Sequence, residues 1–182
     1  MKILAISGST RQLSTNTELL KFLAGVAPSD FEIQLFDGLR DLPVFSPDLE
    51  GEDTPPLVMK FCDLIENADG IVISSPEYVR AIPGGLKNAI DWLVSREEII
   101  YKPIALLHAS HRGEDMLRDL RRVLHTISPK FDEENFQAFH LIKKSPAEIR
   151  ETLDTDKHKS QLISFLENFK TFINQSSDNS QP

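Results

Sequence analysis

Two stretches of this chain, Gly70–Ser74 and Ile104–His108, are apolar at almost every position, reading Ile-Val-Ile and Ile-Ala-Leu-Leu at their centres. Neither alternates polar with apolar residues, as a strand with one wet face would. Strands of this kind are buried on both sides, and the arrangement that covers both sides is a parallel sheet with helices above and below. Three further short runs, Lys2–Ser7, Glu32–Phe36 and roughly Phe136–Ile142, complete a set of five.

Helical spacing fills the intervals. Leu19, Leu20, Leu23 and Val26 form one apolar stripe, and Leu57, Phe61, Leu64, Ile65 and Ala68 a second. Leu86, Ala89, Ile90 and Leu93 form a third, and Leu117, Leu120, Leu124 and Ile127 a fourth. Leu162, Phe165, Leu166, Phe169 and Ile173 form the last. Each fits a helix with one buried face, so these residues are expected to be core. Strand–helix alternation predicts an α/β sandwich around a five-stranded parallel sheet, in the common order 2-1-3-4-5. The charged stretch 143–159 is either a short helix near Ala147–Leu153 or a solvated connection.

The chain has 182 residues, enough for one domain, expected over 1–175 with a polar, disordered tail over 176–182. Its net charge of −8 argues against a nucleic-acid or anionic-membrane partner. The lone Cys62 excludes dithiol redox chemistry within one chain and reads as structural. No apolar run is long enough to span a membrane or serve as a secretory signal, so the expected location is cytoplasmic.

In such a sheet, ligands sit outside the carboxyl ends of the strands, where strand order reverses. That point lies between the first and third strands, so loops Gly8–Thr15 and Ser75–Gly84 should hold the ligand. The first, with its flanks, reads Ser7-Gly8-Ser9-Thr10-Arg11-Gln12-Leu13-Ser14-Thr15-Asn16-Thr17, dense in hydroxyls, with one Arg and no acid. It runs into a helix N-terminus, whose free N–H groups and positive dipole favour an anion. Together they read as a phosphate site; the alternative is that Ser14 or Thr15 only caps the helix. The Walker-type and G-x-G-x-x-G phosphate loops are both absent. The third-strand loop, Ser75-Pro76-Glu77-Tyr78-Val79-Arg80-Ala81-Ile82-Pro83-Gly84-Gly85, is stiffened by prolines. It reads equally as a wall for a planar ligand or as a structural turn. His108 and His111 are thin support for a metal and read as part of a solvated loop, so no metal site is expected.

These two loops resemble the NAD(P)H-dependent FMN reductase family, which includes quinone, azo-dye and chromate reductases. The family's G-S-x-R-x-x-S-x-N is matched by Gly8, Ser9, Arg11, Ser14 and Asn16. Its P-E-Y-N-x-x-x-P-G-x-L-K-N-A-I-D-W is matched by Pro76-Glu77-Tyr78, Pro83-Gly84 and Leu86 to Trp92. Leu42-Pro43-Val44-Phe45 and Lys102-Pro103 match two lesser signatures, so the resemblance covers most of 1–140.

The resemblance implies a flavodoxin-like fold and a homodimer or homotetramer. It implies electron transfer from NAD(P)H through bound FMN to small-molecule quinone-like, azo, flavin or metal-ion acceptors. It also implies that Ser9, Arg11, Ser14, Asn16 and Thr17 hold the FMN phosphate. Pro76, Glu77, Tyr78 and Val79 would lie along ring and ribityl chain, and Ser110 would approach the ring from the fourth loop. Phe45 would reach toward a partner subunit, and Lys87 to Trp92 would be scaffold. No catalytic side chain is implied, since the cofactor carries the electrons. Arg80 and Arg112 are the candidates to meet the 2′-phosphate of NADPH.

Two departures stand out. Val79 occupies the family's Asn position, and the fourth loop, Ala109–Asp115, holds one glycine where the family's is glycine-rich. They motivate the alternative of a flavodoxin-like scaffold or flavin binder with weak or lost turnover. An electron-carrier flavodoxin is a third reading, disfavoured by the P-E-Y signature and the missing T-x-T-G-x-T loop.

Overall fold

The computed structural model describes residues 1–36 and 38–178. Five strands, β1 (Lys2–Ser7), β2 (Glu32–Phe36), β3 (Gly70–Ser74), β4 (Ile104–His108) and β5 (Phe131–Ala138), form one sheet. Every pairing is parallel and the order is β2-β1-β3-β4-β5. Six α-helices surround it: α1 (Thr15–Val26), α2 (Pro56–Glu66), α3 (Gly84–Asp91), α4 (Glu114–Ile127), α5 (Pro146–Leu153) and α6 (Asp156–Asp178).

The two-residue period of a strand divides the core in two. Leu4 and Ile6 of β1, Ile71 and Ile73 of β3, and Ile104 and Leu106 of β4 face α2, α3 and α4. Ile3 and Ala5, Val72, and Ala105 and Leu107 face α1, α5 and α6. All five residues of both β3 and β4 are buried, which is why these runs carry no polar alternation. Cys62 is buried on α2, and burial pushes its thiol pKa up, as befits a core residue.

The fifth strand starts earlier than its apolar pattern suggests, at Phe131 rather than near Phe136. Its first half, Asp132-Glu133-Glu134-Asn135, is too polar to read as a strand. At this sheet edge the ladder is irregular: Ile104 pairs with Phe131 but Leu106 with Phe136, so β5 carries extra residues between them. Glu133 and Glu134 face solvent there, while Asn135 Nδ2 reaches the Phe165 carbonyl of α6 at 3.1 Å.

The charged stretch after β5 does contain a helix. Ser145 and Glu148 form a reciprocal capping box at the start of α5, and Ile149 and Leu153 bury into the α1 side of the core. The expected tail overlaps the end of α6, which runs to Asp178; residues 179–182 lie outside the described residues. Among the described residues no helix is long and apolar enough to cross a membrane.

Candidate functional site

The loops leaving β1 and β3 diverge around the start of α1, as the strand order requires. Much of the first loop is wired into the sheet. Gly8 N donates to the Ser74 carbonyl at 2.8 Å, and Ser74 Oγ donates to Asn16 Oδ1 at 2.9 Å. Ser7 Oγ and Thr17 Oγ1 share a buried hydrogen bond of 2.7 Å. Ser14 Oγ accepts from Thr17 N, and the Ser14 carbonyl accepts from Glu18 N, so Ser14 is the helix cap. The helix geometry then leaves the N–H groups of Thr15 and Asn16 pointing outward for an acceptor from elsewhere. A Cβ on Gly8 would lie 2.6 Å from Ser75 Oγ, so only glycine lets the first and third loops approach this closely.

Two depressions flank this helix start. One, of about 270 Å³, is lined by Thr15 and Asn16 of the first loop, Ser75, Pro76 and Glu77 of the third, Ala109, Ser110, Arg112 and Gly113 of the fourth, and Ile142 beyond β5. The other, of about 320 Å³, is lined by Ser9, Gln12, Thr17 and Asp41, and by the cations Arg11, Lys21 and Arg40.

Asn16, Pro76, Glu77 and Ser110 are thus brought together in the first depression, and Ser9, Arg11 and Thr17 in the second. Ser14 lines neither. Tyr78 and Val79 form the exposed tip of the third loop rather than part of either lining. Thr15, Ser75, Ala109, Gly113 and Ile142 also line the cavity, none of them among the expected cofactor-binding residues. Ser75 and Thr15 sit beside matched motifs; Ile142 lies far along the chain, and nothing local in the sequence marks it.

The tip of the third loop is a tight hairpin. Tyr78 and Ala81 exchange backbone hydrogen bonds of 3.2 and 3.0 Å, and Val79 and Arg80 between them have φ of +51° and +60°. Positive φ at both central residues is the type I′ pattern, which favours Asn and Gly. A β-branched valine there is strained. Arg80 Nε donates to Asp115 Oδ2 at 2.5 Å, tying the tip to α4 and holding the Asp115 carboxyl below its ordinary pKa. Deeper in the loop, Glu77 Oε2 accepts from Met116 N at 3.0 Å, in the first turn of α4.

The fourth loop is organised by His108. This residue is buried at the end of β4, not part of a solvated loop as its sequence surroundings suggest. Its Nε2 donates to the Arg112 carbonyl at 2.5 Å, while Ser110 Oγ accepts from Arg112 N at 2.8 Å. Burial pushes the His108 pKa down, against the pull of the Arg112 carbonyl and the Glu77 carboxylate, so the ring is neutral near pH 7.

The second loop is clasped by α3 and the residue after it. The Pro43 carbonyl accepts from Asn88 Nδ2 at 2.9 Å and from Trp92 Nε1 at 2.8 Å, and Phe45 N donates to Asn88 Oδ1 at 2.8 Å. The Phe45 ring packs edge-on against Trp92 of its own chain, at 5.1 Å between centroids. Its neighbour Val44 is exposed. Among the described residues no group of three or more His, Cys, Asp or Glu could hold a metal ion.

Comparison with known proteins bears on the same region. The family model described as NADPH-dependent FMN reductase matches residues 1–131. A quinone reductase of Escherichia coli strain K12 is 34% identical over 116 residues, covering 62% of this chain and 61% of that protein. An NAD(P)H-dependent FMN reductase of Pseudomonas aeruginosa is 38% identical over 112 residues, covering 60% of each. The chain therefore spans about three fifths of the length of these curated relatives. Among solved structures, FerB, a flavoenzyme NAD(P)H:(acceptor) oxidoreductase from Paracoccus denitrificans, superposes with a TM-score of 0.76 at 26% identity, covering 96% of this chain and 98% of that one.

Proposed function

The chain belongs to the NADPH-dependent FMN reductase family, and from that premise we propose that it is an FMN-dependent NAD(P)H oxidoreductase acting on quinone-like, azo, flavin or metal-ion acceptors. The observation that carries this reading is the 270 Å³ cavity at the strand-order reversal, bounded by the first, third and fourth loops, with the free N–H groups of α1 at its edge.

The donor set fits an anionic, ring-bearing cofactor. The N–H groups of Thr15 and Asn16 and the α1 dipole suit a phosphate, with Arg11 of the adjoining basic depression as its counter-charge. Ser9, Ser14, Asn16 and Thr17 shape that helix start through their internal hydrogen bonds. Pro76 and Ile142 offer apolar walls, and Ser110 and Arg112 polar contacts, to the ring portion of FMN. Tyr78 and Val79 stand exposed at the third-loop tip, where they would be available to the ring. When bound, FMN supplies the electron transfer, taking a hydride from NAD(P)H and delivering electrons to the acceptor. The protein orients the ring, keeps water from part of it, and places positive charge nearby. Arg80 is paired with Asp115, so Arg112 is the cation free to meet a 2′-phosphate.

A homodimer or homotetramer in the cytoplasm fits the same reading. Val44 on the second loop and Val79 on the third, 82% and 98% exposed, are apolar side chains that a second copy would cover. The test is NAD(P)H oxidation by the purified protein with added FMN and a benzoquinone. FMN-dependent oxidation supports the proposal. FMN binding without oxidation would favour the scaffold alternative, which the strained Val79 turn and the single glycine of the fourth loop motivate. Neither binding nor oxidation would overturn both.

A further inference from the structure

The fourth loop contributes Ala109, Ser110, Arg112 and Gly113 to the cavity, yet nothing between β4 and α4 is regular structure. Something must fix its shape. Both backbone polar atoms of Arg112 are held: its N–H by Ser110 Oγ and its carbonyl by His108 Nε2. The first bond is local, two residues apart. The second anchors the loop to the sheet, because His108 is the last residue of β4 and only 3% exposed.

The ring is itself held on two sides. Phe136 of β5 lies nearly parallel to it, at 6.4 Å between centroids. On another side a Cβ at Gly113 would meet His108 Nε2 at 3.0 Å and Cε1 at 3.1 Å. Gly113 also has φ +111°, where a side chain is strained in any case. The imidazole and the glycine are therefore a matched pair. Nε2 must carry the proton to donate, which leaves Nδ1 as an acceptor; that atom is buried with no hydrogen bond of ordinary geometry, although the Ser75 backbone also acts on the ring. An unpaired polar atom in the core is costly, so packing alone would favour an apolar ring here.

The geometry points to His108 as a positioning residue: its Nε2–H to the Arg112 carbonyl holds the fourth loop in the shape that presents Ser110 and Arg112 to the cavity. This rests on the proposal that the cavity takes FMN, but the brace exists in the protein without ligand and can be tested there.

The experiment compares His108→Phe, His108→Gln and His108→Asn. Phe keeps a ring without a donor. The amide nitrogen of Gln reaches about as far as Nε2, whereas that of Asn falls short. The readouts are hydrogen exchange of amides 109–113 in the protein without flavin, and FMN affinity by fluorescence quenching. His108→Phe and His108→Asn should exchange faster at 109–113 and bind FMN about tenfold more weakly, as expected for one hydrogen bond. His108→Gln should restore both. If Gln is as impaired as Asn, or if Phe behaves as wild type, the ring only fills space and the inference is wrong. Should Phe fail to fold, the Gln–Asn difference still decides. Should wild type fail to bind FMN, the functional reading falls while the exchange data still judge the brace.

Discussion

The first and fourth loops face the same cavity and are held there in different ways. The first is tied to two strands by several independent contacts, Gly8 N to Ser74, Ser74 to Asn16, and Ser7 to Thr17, and its helix is capped by Ser14. The fourth is tied at its base by Leu141 N to the Ala109 carbonyl, and at its crest by one side chain, His108 to Arg112. A redundantly tied loop keeps its shape when one contact goes, so its ligand-facing groups can be altered without moving the scaffold. A loop crest held by one side chain transmits any change at that contact directly to the cavity. The third loop stands between: Glu77 and Arg80 pin it to α4, yet its tip carries strain at Val79.

Gly8 is where the first and third loops touch most closely. Gly8→Ala would push a methyl against Ser75, 2.6 Å from Oγ and 2.8 Å from Cβ. Crowding of this kind costs up to about 3 kcal/mol, read as a fall in denaturation midpoint. A loss no larger than at a surface site would mean the loops are not locked together. Arg11→Ala tests the other half of the claim. It should weaken FMN binding by roughly 1.5–3 kcal/mol, the contribution of a charge-assisted hydrogen bond, while thermal stability stays put because Arg11 is exposed. Unchanged affinity would remove Arg11 from the phosphate site.

The fourth loop should show its dependence on one neutral ring through pH. In the unfolded chain His108 protonates as pH falls through about 6.5, whereas the buried ring resists. The unfolded state then binds more protons, so stability falls as pH drops below that value, by at most about 1.4 kcal/mol per pH unit. His108→Gln should flatten this slope; an identical slope would mean the ring is charged in the fold. Smallest, and opposite in sign, is Val79→Asn. Asn tolerates the left-handed turn, so the variant should gain about 1 kcal/mol in chemical denaturation. A loss instead would show that exposed Val79 makes a contact the turn geometry does not reveal.

How far these features could be read in advance follows from the same contrast. β3 and β4 were legible to the residue because burial on both faces leaves no other pattern. β5 was not, because its acidic first half lies in the irregular part of the edge ladder, between the Phe131 and Phe136 pairings, with Glu133 and Glu134 facing solvent. The loops around the site were legible from topology, since strand order fixes where they meet. Individual roles were less so. A run of hydroxyls serves equally to cap a helix, to knit two strands, or to meet a ligand, and spacing does not separate these uses: Ser14, Thr17 and Asn16 turn largely inward, whereas Arg11 turns out. The strand pattern places His108 at the end of β4, but its burial and its bond to the Arg112 carbonyl follow only from three-dimensional packing, which no spacing marks.

The central claim is that this cavity holds FMN in a form that NAD(P)H can reduce. Its most direct test is the visible flavin absorption of the FMN-reconstituted protein, freed of unbound flavin and titrated with NADPH or NADH without oxygen. About one flavin should be retained per chain and bleached by about one equivalent of reduced nicotinamide, as a two-electron transfer requires. Flavin that washes away, or that stays yellow in excess nicotinamide, would contradict it.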